Sequence, residues 1–197
     1  IVLNHPSLKG VEIAAKRVKG LARITPLEFN KRLSKMVNAS IFLKREDLQQ
    51  VRSFKIRGAF NKISSLNKEE ITSGIICASA GNHAQCVAYM CRHLDVMGTI
   101  FMPVTTPQQK IQKTKIFGGE NVKIELTGDY FDDCLRAAQN YNAQNSAHFL
   151  SPFDDEDVIE GQASVAVEIE RQLGGAPDQI ILPEGGGGLS SGLISYF

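Results

Sequence analysis

The sequence predicts an α/β protein whose parallel sheet is flanked by helices. Two observations carry this. Short apolar runs alternate with longer stretches of helical period, and Gly and Pro fall where those stretches begin or end. In chain order, "IFLKRED" at 41–47 reads as a strand. "SFKIRGAFNKISSL" at 53–66 reads as a helix capped by Ser53. Buried strands follow at 73–80 ("SGIICASA"), 96–103, 121–127, 147–152 and 178–183 ("DQIILP"). Helical stretches lie between them at 82–94, 107–118, 130–144 and 157–173. In the first of these, Ala84, Val87, Ala88, Cys91 and Leu94 share one face. Pro107 opens its helix, while Gly118-Gly119 and Gly174-Gly175 close theirs. Repeated strand–helix–strand units place the strands parallel, joined by right-handed crossovers.

Composition excludes several partner classes. Lys and Arg number 22 against 21 Asp and Glu, a net charge of +1, so no basic footprint for nucleic acid or an anionic membrane exists. No apolar run reaches the roughly 20 residues of a membrane helix. The opening "IVLNHPSLKG" is too polar for a signal peptide, and a cytoplasmic protein is expected. Cys77, Cys86, Cys91 and Cys134 form no CxxC pair and read as core or incidental thiols, not as a disulfide framework or a metal site.

In open α/β sheets, ligands bind beyond the strand C-termini, where the next helices begin. Three junctions of this kind stand out. Gly185, Gly186, Gly187 and Gly188 expose backbone N–H groups at a helix start, an anion cradle of phosphate size. The competing reading is a flexible turn, against which stands the chain entropy that four glycines cost. In "ASAGNHAQ", Ser79, Ala80, Gly81, Asn82 and His83 form a small-residue turn able to receive a carboxylate. The competing reading there is an ordinary N-cap with His83 solvated on the surface. In "RSFKIRG", Lys55 follows the aromatic Phe54 in the first turn of a helix, whose dipole favours the neutral amine that an imine-forming lysine needs. A plain solvated lysine is the alternative. Together the junctions offer what pyridoxal phosphate and an amino acid require.

"LKREDLQQVRSFKIRGA", "CASAGNHAQCVA", "FMPVTTPQQK", "LTGDYFDDCL", "VIEGQASVAVEI" and "GGGGLSSGL" resemble the threonine dehydratases (threonine ammonia-lyases), of the tryptophan-synthase-β-like fold. The likeness runs from about Arg23 to Phe197, and two of the blocks are most similar to the biosynthetic, isoleucine-pathway branch. The resemblance implies that Lys55 bonds the cofactor covalently and that Phe54 packs near its ring. Asn82 would hydrogen-bond the cofactor's 3′ oxygen. Gly185 to Gly188 and Leu189 would bind its phosphate, and Ser79, Ala80, Gly81, Asn82 and His83 would receive the substrate carboxylate. It implies β-elimination of L-threonine, and secondarily L-serine, to a 2-oxo acid and ammonia, with no metal ligand in this part.

A serine dehydratase or racemase is the alternative within enzymes. Racemases of this fold resemble "SSGNH" at the turn, whereas Ala80 here cannot exchange a proton. A non-catalytic truncated fragment is the alternative from another class. The family architecture implies a small domain at 73–152 inserted into a large cofactor domain at 1–72 and 153–197. Its C-terminal half is expected to be missing, and the full-length enzyme to be a dimer or tetramer. Glu184 stands where the family usually has Val or Ile; a carboxylate pointing into a phosphate cradle would repel its ligand.

Overall fold

The computed structural model describes residues 6–197; the first five residues of the segment expected as 1–72 lie outside it. Helix α1 (Leu8–Arg17) starts at Ser7, whose side chain accepts the Gly10 N–H. A short antiparallel hairpin follows, β1 (Leu27–Phe29) with β2 (Phe42–Lys44), bridged by α2 (Lys31–Val37). The run at 41–47 therefore forms a strand of three residues, in a two-stranded sheet of its own.

Helix α3 (Lys55–Ser65) begins two residues later than its expected cap. Phe54 occupies the cap with helical φ of −58° and no side-chain bond, and Ser53 instead accepts the Lys55 N–H through its hydroxyl at 3.3 Å. After α4 (Lys68–Thr72), the main sheet is built from β3 (Ile75–Ala78), β4 (Gly98–Met102), β5 (Val122–Leu126) and β6 (His148–Phe149). All pairings are parallel, in the order β5-β4-β3-β6. The crossovers are α5 (Asn82–Leu94), α6 (Gln108–Gly118) and α7 (Phe131–Asn145). Ala84, Val87, Ala88 and Cys91 on α5 are fully buried against β3 and β4, as their shared face predicts. All four cysteines are free and buried.

The chain leaves β3 toward β4 on one side and returns as β6 on the other. The order of strands reverses there, which opens a crevice at the C-terminal ends of β3 and β6. Helix α8 (Glu156–Leu173) and α9 (Gly188–Tyr196) then pack beside α3 and α1. Three glycines permit this closeness: a Cβ on Gly161 would stand 2.6 Å from the Cα of Gly58, and one on Gly192 would stand 2.7 Å from the carbonyl of Ile159.

Two strand expectations need correction. Residues 178–183 form no strand and pair with none among the described residues, and Ile181 is 93% exposed. The apolar run has nothing beside it to complete a ladder, and sequence pattern alone cannot supply one. The run at 121–127 is a strand but not a buried one: β5 is the sheet edge, and Leu126 is 44% exposed.

Candidate cofactor site

Three helices begin around one cavity of about 290 Å³: α3 at Lys55, α5 near Asn82 and α9 at Gly188. Each presents the positive end of its dipole and first-turn N–H groups without intrahelical acceptors. At α9 the first backbone bond is donated by Ser191 to the Gly187 carbonyl at 2.8 Å. The N–H groups of Gly188, Leu189 and Ser190 thus remain open to a ligand.

Packing requires glycine at three positions of the turn. A Cβ on Gly186 would fall 2.2 Å from the Phe153 ring, and one on Gly188 2.9 Å from the Phe153 carbonyl, while Gly187 has φ of +82°. A Cβ on Gly185 would meet no atom of the described residues within 4 Å, so this face of the turn is open to the cavity.

Lys55 extends into the cavity from the start of α3. Its Nζ donates to the carbonyl of Pro152 at 2.8 Å and lies 5.6 Å from the centre of the Phe54 ring. None of its hydrogen bonds or ion pairs is to a carboxylate. Burial pushes its pKa below the ordinary lysine value, against a small opposing effect of Cys86, which raises the neutral fraction of the amine. Phe54, Lys55, Asn82, Gly185 to Gly188 and Leu189 are thus brought to one cavity. Ser79, Ala80, Gly81 and His83 belong to the same turn as Asn82 but do not line it. The Ser79 hydroxyl accepts the Gly81 N–H at 3.2 Å.

His83 is not the solvated residue of the competing reading. It is 3% exposed, with Nε2 3.0 Å from the Leu150 carbonyl. Burial pushes its pKa down to about 4, against the Leu150 bond and helped by the charge of Lys55, so the ring is neutral at pH 7. Glu184 lies at the mouth of the turn: its Oε1 accepts the Ser190 hydroxyl at 2.9 Å and lies 3.6 Å from where a Gly187 Cβ would stand.

Sequence reading missed Pro152, Phe153 and Gln162, which also line the cavity. A signal for Gln162 was available: it is a polar residue on the stripe of Ile159, Ala163 and Ala166, at core spacing. It missed too the charge network behind Lys55. Arg57, fully buried, bonds Glu46 at 2.8 and 2.9 Å and Glu168 at 2.8 and 3.0 Å, and Lys44 meets Glu168 at 2.6 Å.

An amine whose pKa burial lowers, an aromatic ring beside it and an anion turn in the same cavity are the fittings for an aldehyde that carries a phosphate. The chain belongs to the family of pyridoxal-phosphate-dependent enzymes, whose model matches residues 18–197. Among individual relatives, it is 50% identical over 199 residues to a Staphylococcus epidermidis protein named L-threonine dehydratase biosynthetic IlvA, covering 100% of this chain and 47% of that protein. It superposes on the processed form of threonine deaminase isoform 2 from Solanum lycopersicum with a TM-score of 0.87 at 37% identity, covering 100% of this chain and 55% of that one. For maize serine racemase the TM-score is 0.91 at 28% identity, covering 97% and 57%. The chain spans about half the length of the curated relatives it matches. These likenesses bear out the fold class, the threonine-dehydratase family and the cofactor class expected from the motifs.

Proposed function

We propose that this chain carries the cofactor half-site of an ammonia-lyase that eliminates the β-hydroxyl of L-threonine, and more slowly of L-serine, giving 2-oxobutanoate from threonine with release of ammonia. The observation that carries the reading is the Lys55 amine, which has no carboxylate partner and sits in one cavity with the glycine turn. The names of the relatives at about 50% identity support the threonine substrate and a place in isoleucine biosynthesis.

Pyridoxal phosphate, when bound, supplies an electron sink for negative charge at the substrate Cα. Lys55 would hold the cofactor and, as a neutral amine, would take the proton from the substrate Cα at Nζ. The N–H groups of Gly185 to Gly188 and Leu189 would hold the phosphate, Phe54 would pack by the ring and Asn82 would donate to the 3′ oxygen. Ser79 to His83, at the start of α5, receive the substrate carboxylate; the N–H groups of Ala80, Asn82 and His83 are open to it, while those of Ser79 and Gly81 are bonded to the Phe101 carbonyl and the Ser79 hydroxyl. His83, neutral and buried, fixes this turn to the end of β6 through Leu150. In the same reading, residues 73–152 form a unit that closes over substrate, and the full-length enzyme is a cytoplasmic homo-oligomer. No helix among the described residues is long and apolar enough to cross a membrane.

Likeness to maize serine racemase favours a second reading, against which Ala80 stands: its methyl can neither give nor take a proton. The test is the visible spectrum with pyridoxal phosphate before and after borohydride, beside Lys55→Ala, followed by turnover of L-threonine, L-serine and D-serine. A reducible band that the variant lacks, with threonine consumed fastest, is expected. Substantial D-serine production would replace the lyase by a racemase, and a folded chain without the band would leave a non-catalytic fragment.

A further inference from the structure

Gln162 sits in the middle of α8, 2% exposed, on the face that packs this helix into the protein. A primary amide in such a place needs acceptors and donors around it. One end is satisfied: Oε1 accepts the N–H of Gly58, in the first turn of α3 and three residues past Lys55, at 3.2 Å. Gly58 N can only donate, so this bond fixes which end of the amide is oxygen. Nε2 is the other end, and it makes no hydrogen bond among the described residues.

The surroundings of Nε2 are defined on one side by Gly58, where a Cβ would fall 2.2 Å away. On the other side the residue lines the cavity of Lys55 and the glycine turn. Gly192 brings the middle of α9 against the adjoining turn of α8, with its Cβ position 3.0 Å from that of Ala163, and the start of α9 at Gly188 to Ser190 lines the same cavity as Gln162. The amide thus stands between the N-termini of α3 and α9, its unpaired donor at the cavity. Both dipoles favour an anion there.

We propose that Gln162 is a ligand-binding residue: Nε2 donates to a phosphate oxygen of the cofactor, while Oε1 holds the first turn of the helix that carries Lys55. This rests on the cofactor reading above. It gives Gln162 two duties that substitutions separate. Gln162→Glu keeps an oxygen for Gly58 and the side-chain volume, but replaces the donor with a carboxylate. Gln162→Met removes the donor without adding charge.

The experiment titrates the full chain and both variants at pH 8 with pyridoxal phosphate and, separately, with pyridoxal, which lacks the phosphate. Absorbance reports Kd. For pyridoxal phosphate, Kd is expected to rise by about tenfold or more in Gln162→Glu and about fivefold in Gln162→Met. For pyridoxal it should change by less than about twofold in either. Equal losses for the two ligands would make Gln162 a purely structural support of Lys55 and overturn the proposal, as would no loss at all. If Gln162→Glu does not fold, the Met variant decides by the same comparison. A wild-type chain that binds neither ligand overturns the cofactor reading and this proposal together, whereas wild-type binding without a phosphate-selective loss overturns this proposal alone.

Discussion

Lys55 and Arg57 stand two residues apart at the start of one helix, and both are withdrawn from water, yet they meet opposite surroundings. Arg57 lies between the carboxylates of Glu46 and Glu168, which tie α3 to the segment before it and to α8. Burial opposes its charge, but the two hydrogen-bonded carboxylates outweigh burial and raise its pKa. Lys55 has a carbonyl and an aromatic ring instead, and burial lowers its pKa. The difference shows how one helical turn can hold a charge and discourage one. A cation that braces the fold needs counter-ions. An amine that must attack a carbonyl is better without them. Arg57, braced by its two carboxylates, also ties the helix to its neighbours, so that Lys55 can go without an ion pair.

The sharpest way to break this contrast is to remove either cation. Lys55→Ala should abolish borohydride-fixed cofactor, read by mass spectrometry, and lower any lyase turnover by about 10²–10⁴-fold, with a melting temperature close to wild type. Arg57→Met should do the reverse. It strands Glu46 and Glu168, and urea unfolding should show a loss of about 3–5 kcal/mol. If Lys55→Ala instead cost the stability and Arg57→Met did not, the assignment of roles would be wrong.

Acid examines the neighbourhood of Lys55 through His83. Its pKa is pushed from 6.5 to about 4 by burial, so the unfolded chain binds the proton more readily. The stability held by the neutral ring is complete above pH 6.5 and is lost progressively as pH falls to about 4, by on the order of 3 kcal/mol. Urea midpoints across that range should slope accordingly, and the slope should shrink in His83→Asn. Gly161→Ala tests the contact that holds both cations in register. Its Cβ would press on the Gly58 Cα and the Arg57 carbonyl, 2.6 and 2.8 Å away, and should cost about 1–3 kcal/mol in the same assay. The smallest effect belongs to Glu184. Glu184→Val removes an exposed negative charge beside the glycine turn and should tighten pyridoxal phosphate binding about two- to fivefold, a gain that added salt diminishes.

Much of the site was legible before any coordinates. Lys55 after Phe54, the small-residue turn at 79–83 and the four glycines are each local signals, readable because strand-to-helix junctions are encoded by adjacent residues. Gln162 showed only as a polar residue on an apolar helical stripe; what it bonds could not be read, since Gly58 is 104 positions away in the chain. The same holds for Arg57, whose partner Glu168 is 111 residues distant. A solvated His83 stood as the competing reading because its acceptor, Leu150, comes from a different strand end, which the local sequence does not show. The strand expected at 178–183 failed for a related reason: an apolar run states a preference for burial, not the presence of a neighbour to pair with.

From residue order alone follow the α/β class, the crossover helices, the capping glycines and the three junctions at which a phosphate, a carboxylate and an aldehyde could be met. These depend on periodicity and on backbone freedom, which are properties of short segments. Tertiary structure decided that the three junctions open onto one cavity, because α8 packs against both α3 and α9, and α3 against α5, which brings the starts of these helices together. It also decided which cation has its pKa raised by carboxylates, which has it lowered by burial, and which amide keeps a free donor. Charge and hydrogen bonding in a protein interior are set by what packs alongside, and packing is a property of the whole chain.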